Sequence, residues 1–289
     1  MKIGIDIGNY NVKTSEEILF KSAVSNTIEY GNKFDKLIYK DETYYLGTGN
    51  LEIDYRKFDK ENYIPLLLGA ICKSSNHIEN DLGVGLPIKQ YKNYKNELIN
   101  MLAGTEHDVI FNDSKRKIKI MDVNVFPESV AGIIANYDKL IIKVGIRDII
   151  SVDIGGKTTD IALIRNKKVI KSSQVNVGTI DIYNCIKIAL EEKYFDVKVN
   201  LDNVEKYLEN GFIYKNEKQD IRFAIKSCND LFKEIYTELN LNYPIQEGAT
   251  VLQGGGAELL GSVFKKKIDG LIIDKDLFAN AKGYKLLLK

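Results

Sequence analysis

Two aspartates, each one residue ahead of an Ile-Gly step, offer the most chemistry in this chain. They are Asp6 in IGIDIGNYNVKT and Asp153 in SVDIGGKTTDIALI. A glycine directly after a strand lets the backbone turn tightly enough for amide N–H groups to face an anion. Gly8 and the Gly155-Gly156 pair meet that need. A carboxylate at the same place cannot attract a phosphate directly. It can act through Mg²⁺ and its waters, because magnesium keeps several waters and takes few protein carboxylates. The ammonium of Lys13 and the hydroxyls of Thr158 and Thr159 suit phosphate oxygens. A third stretch, Gly254-Gly255-Gly256 in LQGGGAELL, allows a flat or bulky ligand close to the backbone beside a helix N-terminus. Each motif alone reads equally well as an ordinary Gly-rich turn. Jointly they indicate a nucleotide held between two lobes.

The elements that must position these residues repeat. Aligning residues 3–14 with 150–161 matches Ile3 to Ile150, Asp6 to Asp153, Ile7 to Ile154 and Gly8 to Gly155. Residues 1–48 read as β, with turn chemistry at Gly8-Asn9, Gly31-Asn32 and Asp41-Glu42. Helical spacing follows over 61–75, a buried strand over 81–87, and a second helix over 89–104 that stops at Gly104. Strands are expected near 107–112 and 116–126. PESVAGIIANY (127–137) reads as a helix with Pro127 in its first turn and Glu128 beside it, both favourable there. From 148 the pattern restarts, with strands at 148–154, 159–165 and 167–175 and helices at about 179–194, 201–210 and 218–240. Residues 249–264 read as strand, glycine turn and helix. A strand at 269–273 and a helix from Asp276 close the chain. The whole reads as a duplicated α/β unit whose halves enclose a cleft.

The chain has 289 residues, enough for two domains of moderate size. With 41 basic and 40 acidic side chains it has no electrostatic case for broad nucleic-acid or membrane attraction. Cys72, Cys185 and Cys228 form no Cys-x-x-Cys pair, and His77 and His107 stand apart, so neither a metal framework nor a disulfide framework is expected. No apolar stretch approaches the ~20 residues that span a bilayer. These features lead us to expect a cytoplasmic protein, bound neither to membrane nor directly to nucleic acid.

The motif set resembles the actin-like ATPase superfamily, which includes actin, sugar kinases, heat-shock chaperones and bacterial actin homologues. IDIGNYNVKT resembles its first phosphate loop and VDIGGKTTDIAL its second. VFPESVAGI resembles the first connecting helix, LQGGGAELL the adenosine motif and FANAKGY the second connecting region. They keep the family's order across residues 3 to 284. The G-N-x-N-V-K run holding Asn9, Asn11 and Lys13, together with F-P-E-S and A-N-A-x-G-Y, is similar to ParM-type plasmid-segregation actins.

The resemblance implies an α/β, duplicated, ribonuclease H-like two-lobed fold with a nucleotide cleft between the lobes. Lobe I would comprise residues 1–148, with a small subdomain at about 26–60, completed by the C-terminal segment 274–289. Lobe II would comprise 149–273, with a helical subdomain at about 180–247. The implied ligand is ATP, or GTP, with Mg²⁺ held by Asp6 and Asp153 through water. Gly8, Asn9, Asn11, Lys13, Gly155, Gly156 and Thr158 would surround the phosphates. Glu128 would orient the attacking water. Gly254, Gly255 and Gly256 would pass under the adenosine and Gly178 would lie near the ribose, with Glu205 and Lys206 on the helix near the base. Lys157 departs from the small residue usual in its turn; its ammonium would face either a phosphate or solvent. The implied partners are further copies of the chain in a filament and a small DNA-binding adaptor on a plasmid centromere. A small-molecule kinase of the same superfamily and a non-segregating cytoskeletal scaffold are the alternatives.

Overall fold

The computed structural model describes every residue except 29–32, 53–55, 146–147 and 289. The expected turn at Gly31-Asn32 therefore lies outside the described residues.

The first half opens with β1 (Lys2–Ile7), β2 (Asn11–Thr14), β3 (Leu19–Lys21), β4 (Ala23–Ser25), β5 (Lys36–Tyr39) and β6 (Glu42–Leu51). It continues with α1 (Tyr63–Ser74), β7 (Glu79–Leu86), α2 (Ile88–Leu102), β8 (Glu106–Phe111), β9 (Ser114–Pro127), α3 (Ala131–Ala135) and α4 (Tyr137–Val144). The second half holds β10 (Ile149–Ile154), β11 (Thr159–Arg165), β12 (Lys168–Val175), α5 (Thr179–Lys193), α6 (Leu201–Asn210), β13 (Phe212–Tyr214) and β14 (Glu217–Gln219). It ends with α7 (Arg222–Ser227), α8 (Asn229–Asn242), β15 (Ala249–Gln253), α9 (Ala257–Phe264), β16 (Ile272–Ile273) and α10 (Ala279–Leu287).

The duplication is visible in the sheets. One sheet runs β3-β2-β1-β7-β9-β8-β5-β6-β4 and the other β12-β11-β10-β15-β16. β1 pairs antiparallel with β2 and parallel with β7. β10 repeats this, antiparallel with β11 and parallel with β15. Both central strands are buried along nearly their whole length, although each carries polar residues, Asp6 in β1 and Ser151 and Asp153 in β10. Ile3, Ile5 and Ile7 are buried in one core; Ile150, Val152 and Ile154 are buried in the other.

The C-terminal helix α10 docks on the first sheet rather than the second. Gly83 and Gly85 of β7 make this possible: a side chain at either would collide with Tyr284. That accounts for two glycines inside a buried strand.

Three local expectations are corrected. Pro127 does not begin a helix. It pairs with Leu86 as the last residue of β9, and the Glu128 N–H donates to the Leu86 carbonyl at 2.8 Å. Ser129 then turns through the left-handed region at φ 68°, and helix begins only at Ala131. The helix expected over 218–240 is a hairpin strand, β14, followed by α7 and α8, which break at Cys228. The last strand is short, Ile272–Ile273, and the last helix starts at Ala279 rather than Asp276. Among the described residues no helix is long and apolar enough to cross a membrane.

Candidate functional site

The two Asp-Ile-Gly segments form equivalent hairpins. In the first the Gly8 N–H donates to the Asn11 carbonyl at 2.9 Å; in the second the Gly155 N–H donates to the Thr158 carbonyl at 2.9 Å. Asp6 stands opposite Lys13 in its ladder and Asp153 stands opposite Asp160. The hairpin tips meet. A Cβ built on Gly156 would lie 2.9 Å from the Tyr10 nitrogen, so the two turns are in near contact.

They form the floor of a cleft of about 510 Å³. Asp6, Gly8, Asn9, Asn11 and Lys13 line it from one side, and Asp153, Gly155, Gly156 and Thr158 from the other. Glu128, Gly254, Gly255 and Glu205 complete the expected set within it.

Some expected residues lie elsewhere. Gly256 packs on Ile154, and Gly178 packs behind the second turn, where a Cβ would lie 2.5 Å from the Gly156 carbonyl carbon and the Lys157 nitrogen. The Gly178 N–H donates to Asp181 Oδ2 at 2.9 Å. Of its two expected positions Lys157 takes the solvent side: its side chain is 41% exposed and its ammonium pairs with Asp181 Oδ1 at 3.0 Å. The Thr159 hydroxyl is buried and donates to the Val177 carbonyl at 2.7 Å, which turns it away from the cleft. Lys206 is not among the cleft residues.

The carboxylates are organised by partners to which the sequence reading gave no role. Lys57 is buried, with its Nζ 3.1 Å from Asp6 Oδ1 and hydrogen-bonded to Glu128 Oε1. Burial opposes its charge, but Glu128 and Asp6 outweigh that and raise its pKa above the ordinary lysine value. Burial pushes the Glu128 carboxyl up to about 7 in spite of this lysine. On the other side Asn280 Nδ2 donates to Asp153 Oδ2 at 2.7 Å, and Gln253 Nε2 reaches the same oxygen at 3.4 Å. Burial raises the Asp153 pKa despite these bonds. Asp160 accepts from Gln174 Nε2 at 2.9 Å, yet burial and then the nearby Glu128 and Asp153 hold it well above the carboxylate range. At the far end Tyr10 and Tyr183 meet edge to face at 5.7 Å, and the Tyr10 hydroxyl donates to Glu205 at 3.4 Å.

These residues fit a magnesium nucleotide. Gly254 has φ +85°, and a side chain there would overlap Asp153 Oδ1, so the backbone itself forms this wall. Asn280 Oδ1 and Gln253 Oε1 are buried beside Asp153 with no protein partner. Among the described residues no three His, Cys, Asp or Glu side chains gather closely enough to hold a metal unaided. The donor set therefore suits Mg²⁺ that arrives with phosphate and water ligands, held by one or two carboxylates. Asp6 and Asp153 both line the cleft, near the ends of β1 and β10.

Comparison with known proteins gives the same architecture. Residues 4–130 match the actin-like proteins N-terminal domain, and residues 151–266 match the archaeal actin homologue MreB-like C-terminal domain. No curated protein matches by sequence. The ADP complex of Ta0583, an archaeal actin homologue, superposes with a TM-score of 0.83 at 20% identity, covering 98% of this chain and 97% of that one. The ParM of a 15-stranded filament from Clostridium botulinum gives 0.80 at 21%, covering 98% and 97%. The Alp12 filament protein gives 0.67 at 16%, covering 98% and 96%. At such identities the likeness establishes the two-lobed fold, and the paired domain matches establish the lineage. The chain belongs to the actin-like superfamily, with an actin-like N-terminal domain followed by an MreB-like C-terminal domain.

Proposed function

We propose that this chain is a filament-forming, nucleotide-dependent ATPase that hydrolyses the γ-phosphate within its polymer and segregates plasmid DNA through a DNA-binding adaptor. One observation carries the reading. Asp6, Glu128 and Asp153, far apart in sequence, converge on a single cleft floored by two equivalent hairpins.

The proposed division of labour follows from the geometry. The Gly8 and Gly155 N–H groups are spent inside their turns, so the amides just beyond them, at Asn9 and Gly156, are the ones left to meet phosphate. Lys13 supplies positive charge beside the first turn. Asp6 and Asp153 would hold, through water, a Mg²⁺ brought by the nucleotide, and that ion would neutralise phosphate charge. Glu128 sits at the end of β9, on a turn rather than a helix, where its carboxylate can accept a hydrogen bond from a water and aim it. Gly254 and Gly255 let the nucleoside approach the backbone, and Tyr10, Tyr183 and Glu205 stand at the base end. The proposed lobes divide near residue 148, with 274–289 returning to the first.

The family's solved filaments and the ADP complex of the archaeal homologue support assembly and nucleotide binding. The balanced charge of the chain favours DNA contact through an adaptor rather than directly. Sedimentation with ATP, GTP and no nucleotide, each with Mg²⁺, tests the reading. Filaments should pellet with ATP, and with GTP if backbone glycines discriminate poorly between bases. A protein that stays monomeric at tens of micromolar, a scale suited to micromolar contacts, contradicts it. Phosphorylation of a small acceptor would then favour the kinase alternative.

A further inference from the structure

We propose that Lys57 is a sensor of the nucleotide's terminal phosphate, released from Glu128 when that phosphate arrives. This rests on the nucleotide-binding reading above and assigns a role to a residue outside every motif.

Lys57 sits in the wall of the cleft on a short strap, residues 56–60, between β6 and α1. The strap is fastened at several points. The Lys57 N–H donates to Gln90 Oε1 at 3.0 Å, Arg56 Nη1 donates to Glu97 at 2.7 Å, and Phe58 meets Tyr94 edge to face at 6.4 Å. All three anchors lie on α2. At its other end Lys60 Nζ donates to Asn9 Oδ1 at 2.7 Å, on the tip of the first phosphate turn. The fastening delivers a buried ammonium to Asp6 and Glu128 together.

A buried ion pair is weak evidence for stability, because well-packed apolar residues in place of both partners would often serve as well. The placement needs another reason, and the site provides one. Glu128, as the proposed water-positioning group, must have a lone pair free for water. Here its Oε1 is engaged by Lys57, which leaves only Oε2 to accept from a water. A terminal phosphate entering beside Glu128 brings a denser anion that competes for the same ammonium. Transfer of the Lys57 contact to phosphate frees Glu128 for water and signals phosphate occupancy through the strap to α2 and the Asn9 turn. A diphosphate has no group at that position and leaves Lys57 on Glu128. Lys57 would thus separate triphosphate from diphosphate, whereas Asp6 and Asp153 act on both.

Equilibrium binding of Mg·ATP and Mg·ADP, below the assembly concentration, to wild type, Lys57→Met and Lys57→Arg tests this. Lys57→Met should lose roughly tenfold to hundredfold in ATP affinity, the scale of a hydrogen bond to a charged group. Its ADP affinity should stay within about twofold, and Lys57→Arg should keep most of the preference for ATP. Equal losses for both nucleotides, or no loss for either, would make Lys57 a structural counter-ion and overturn the proposal. Should Lys57→Met fail to fold, Lys57→Met/Glu128→Gln removes both charges. The same affinity ratio is then read against Glu128→Gln alone. Wild-type protein that binds neither nucleotide would overturn the nucleotide reading itself, an outcome distinct from failure of the Lys57 assignment.

Discussion

The two hairpins at the cleft floor share topology, turn geometry and an Asp-Ile-Gly start, yet they are finished in opposite ways. In the first, Asp6 stands opposite Lys13 and is ion-paired with Lys57. In the second, Asp153 stands opposite Asp160 and is held by the amides of Asn280 and Gln253. One hairpin has its aspartate ion-paired directly with a buried lysine. The other gathers two buried carboxylates whose direct hydrogen bonds come from neutral amides; Lys13 and Lys57 act on Asp153 without an ion-pair contact, and burial leaves both carboxyls protonated more readily than usual. Duplication supplied the frame, and divergence left one side asking for a cation. In the proposed mechanism Mg²⁺ meets that demand, so the second hairpin should depend on the metal more than the first.

The largest expected effect lies where the lysine-rich side meets the chemistry. Glu128→Gln removes the carboxylate that Lys57 holds while keeping its volume. Water positioning is worth ~10²–10⁴ in rate, so phosphate release should fall by that order while nucleotide binding and assembly persist. Filaments of the variant should outlast those of wild type in light-scattering time courses. Normal phosphate release from folded, assembling Glu128→Gln would remove Glu128 from the mechanism and move the search to Asp160 or Thr158.

The smallest effect sets the background for any pH comparison of the hairpins. His107, in β8 and remote from both turns, accepts or shares hydrogen bonds with the Tyr39 hydroxyl at 2.9 Å and the Thr105 hydroxyl at 3.0 Å. Burial, aided by nearby Lys40, lowers its pKa below the ordinary 6.5. The unfolded chain therefore takes up the proton first as pH falls. Stability attached to His107 is full above about pH 6.5 and is lost as pH drops through that value towards the folded pKa. Unfolding midpoints of His107→Asn should fall less than those of wild type between pH 7.5 and 5, values chosen to bracket the histidine range. Parallel curves would show that the acid sensitivity arises elsewhere.

Much of this frame was legible in the sequence, for physical reasons. The glycine turns, the apolar strands and the duplicated Asp-Ile-Gly order are local signals, and they placed both hairpins and the Gly254-Gly255 wall. What escaped notice depends on tertiary contact. Lys57 lies on a strap with no periodicity and becomes significant only when α2 holds it against Asp6. Asn280 lies in the FANAKGY segment, but its bond to Asp153 exists only because α10 crosses to the first sheet. Pro127 looked like a helix start because proline is welcome there; on β9 the residue simply ends a ladder, with no N–H to offer. The β13–β14 hairpin was hidden by its three-residue strands and by the polar sequence of β14, although Lys215 and Asn216 at φ 51° and 65° make the left-handed turn such hairpins favour.

The comparison is tested most directly by measuring Mg²⁺-dependent ATP binding to Asp6→Asn and Asp153→Asn by titration calorimetry, with and without the metal. Both variants should remain folded and lose Mg·ATP affinity. The gain in ATP affinity on adding Mg²⁺ should shrink more in Asp153→Asn, by roughly tenfold or more, the scale of one charge-assisted contact. Folded Asp153→Asn that keeps the wild-type response to Mg²⁺ would contradict the claim that these hairpins clasp a magnesium nucleotide.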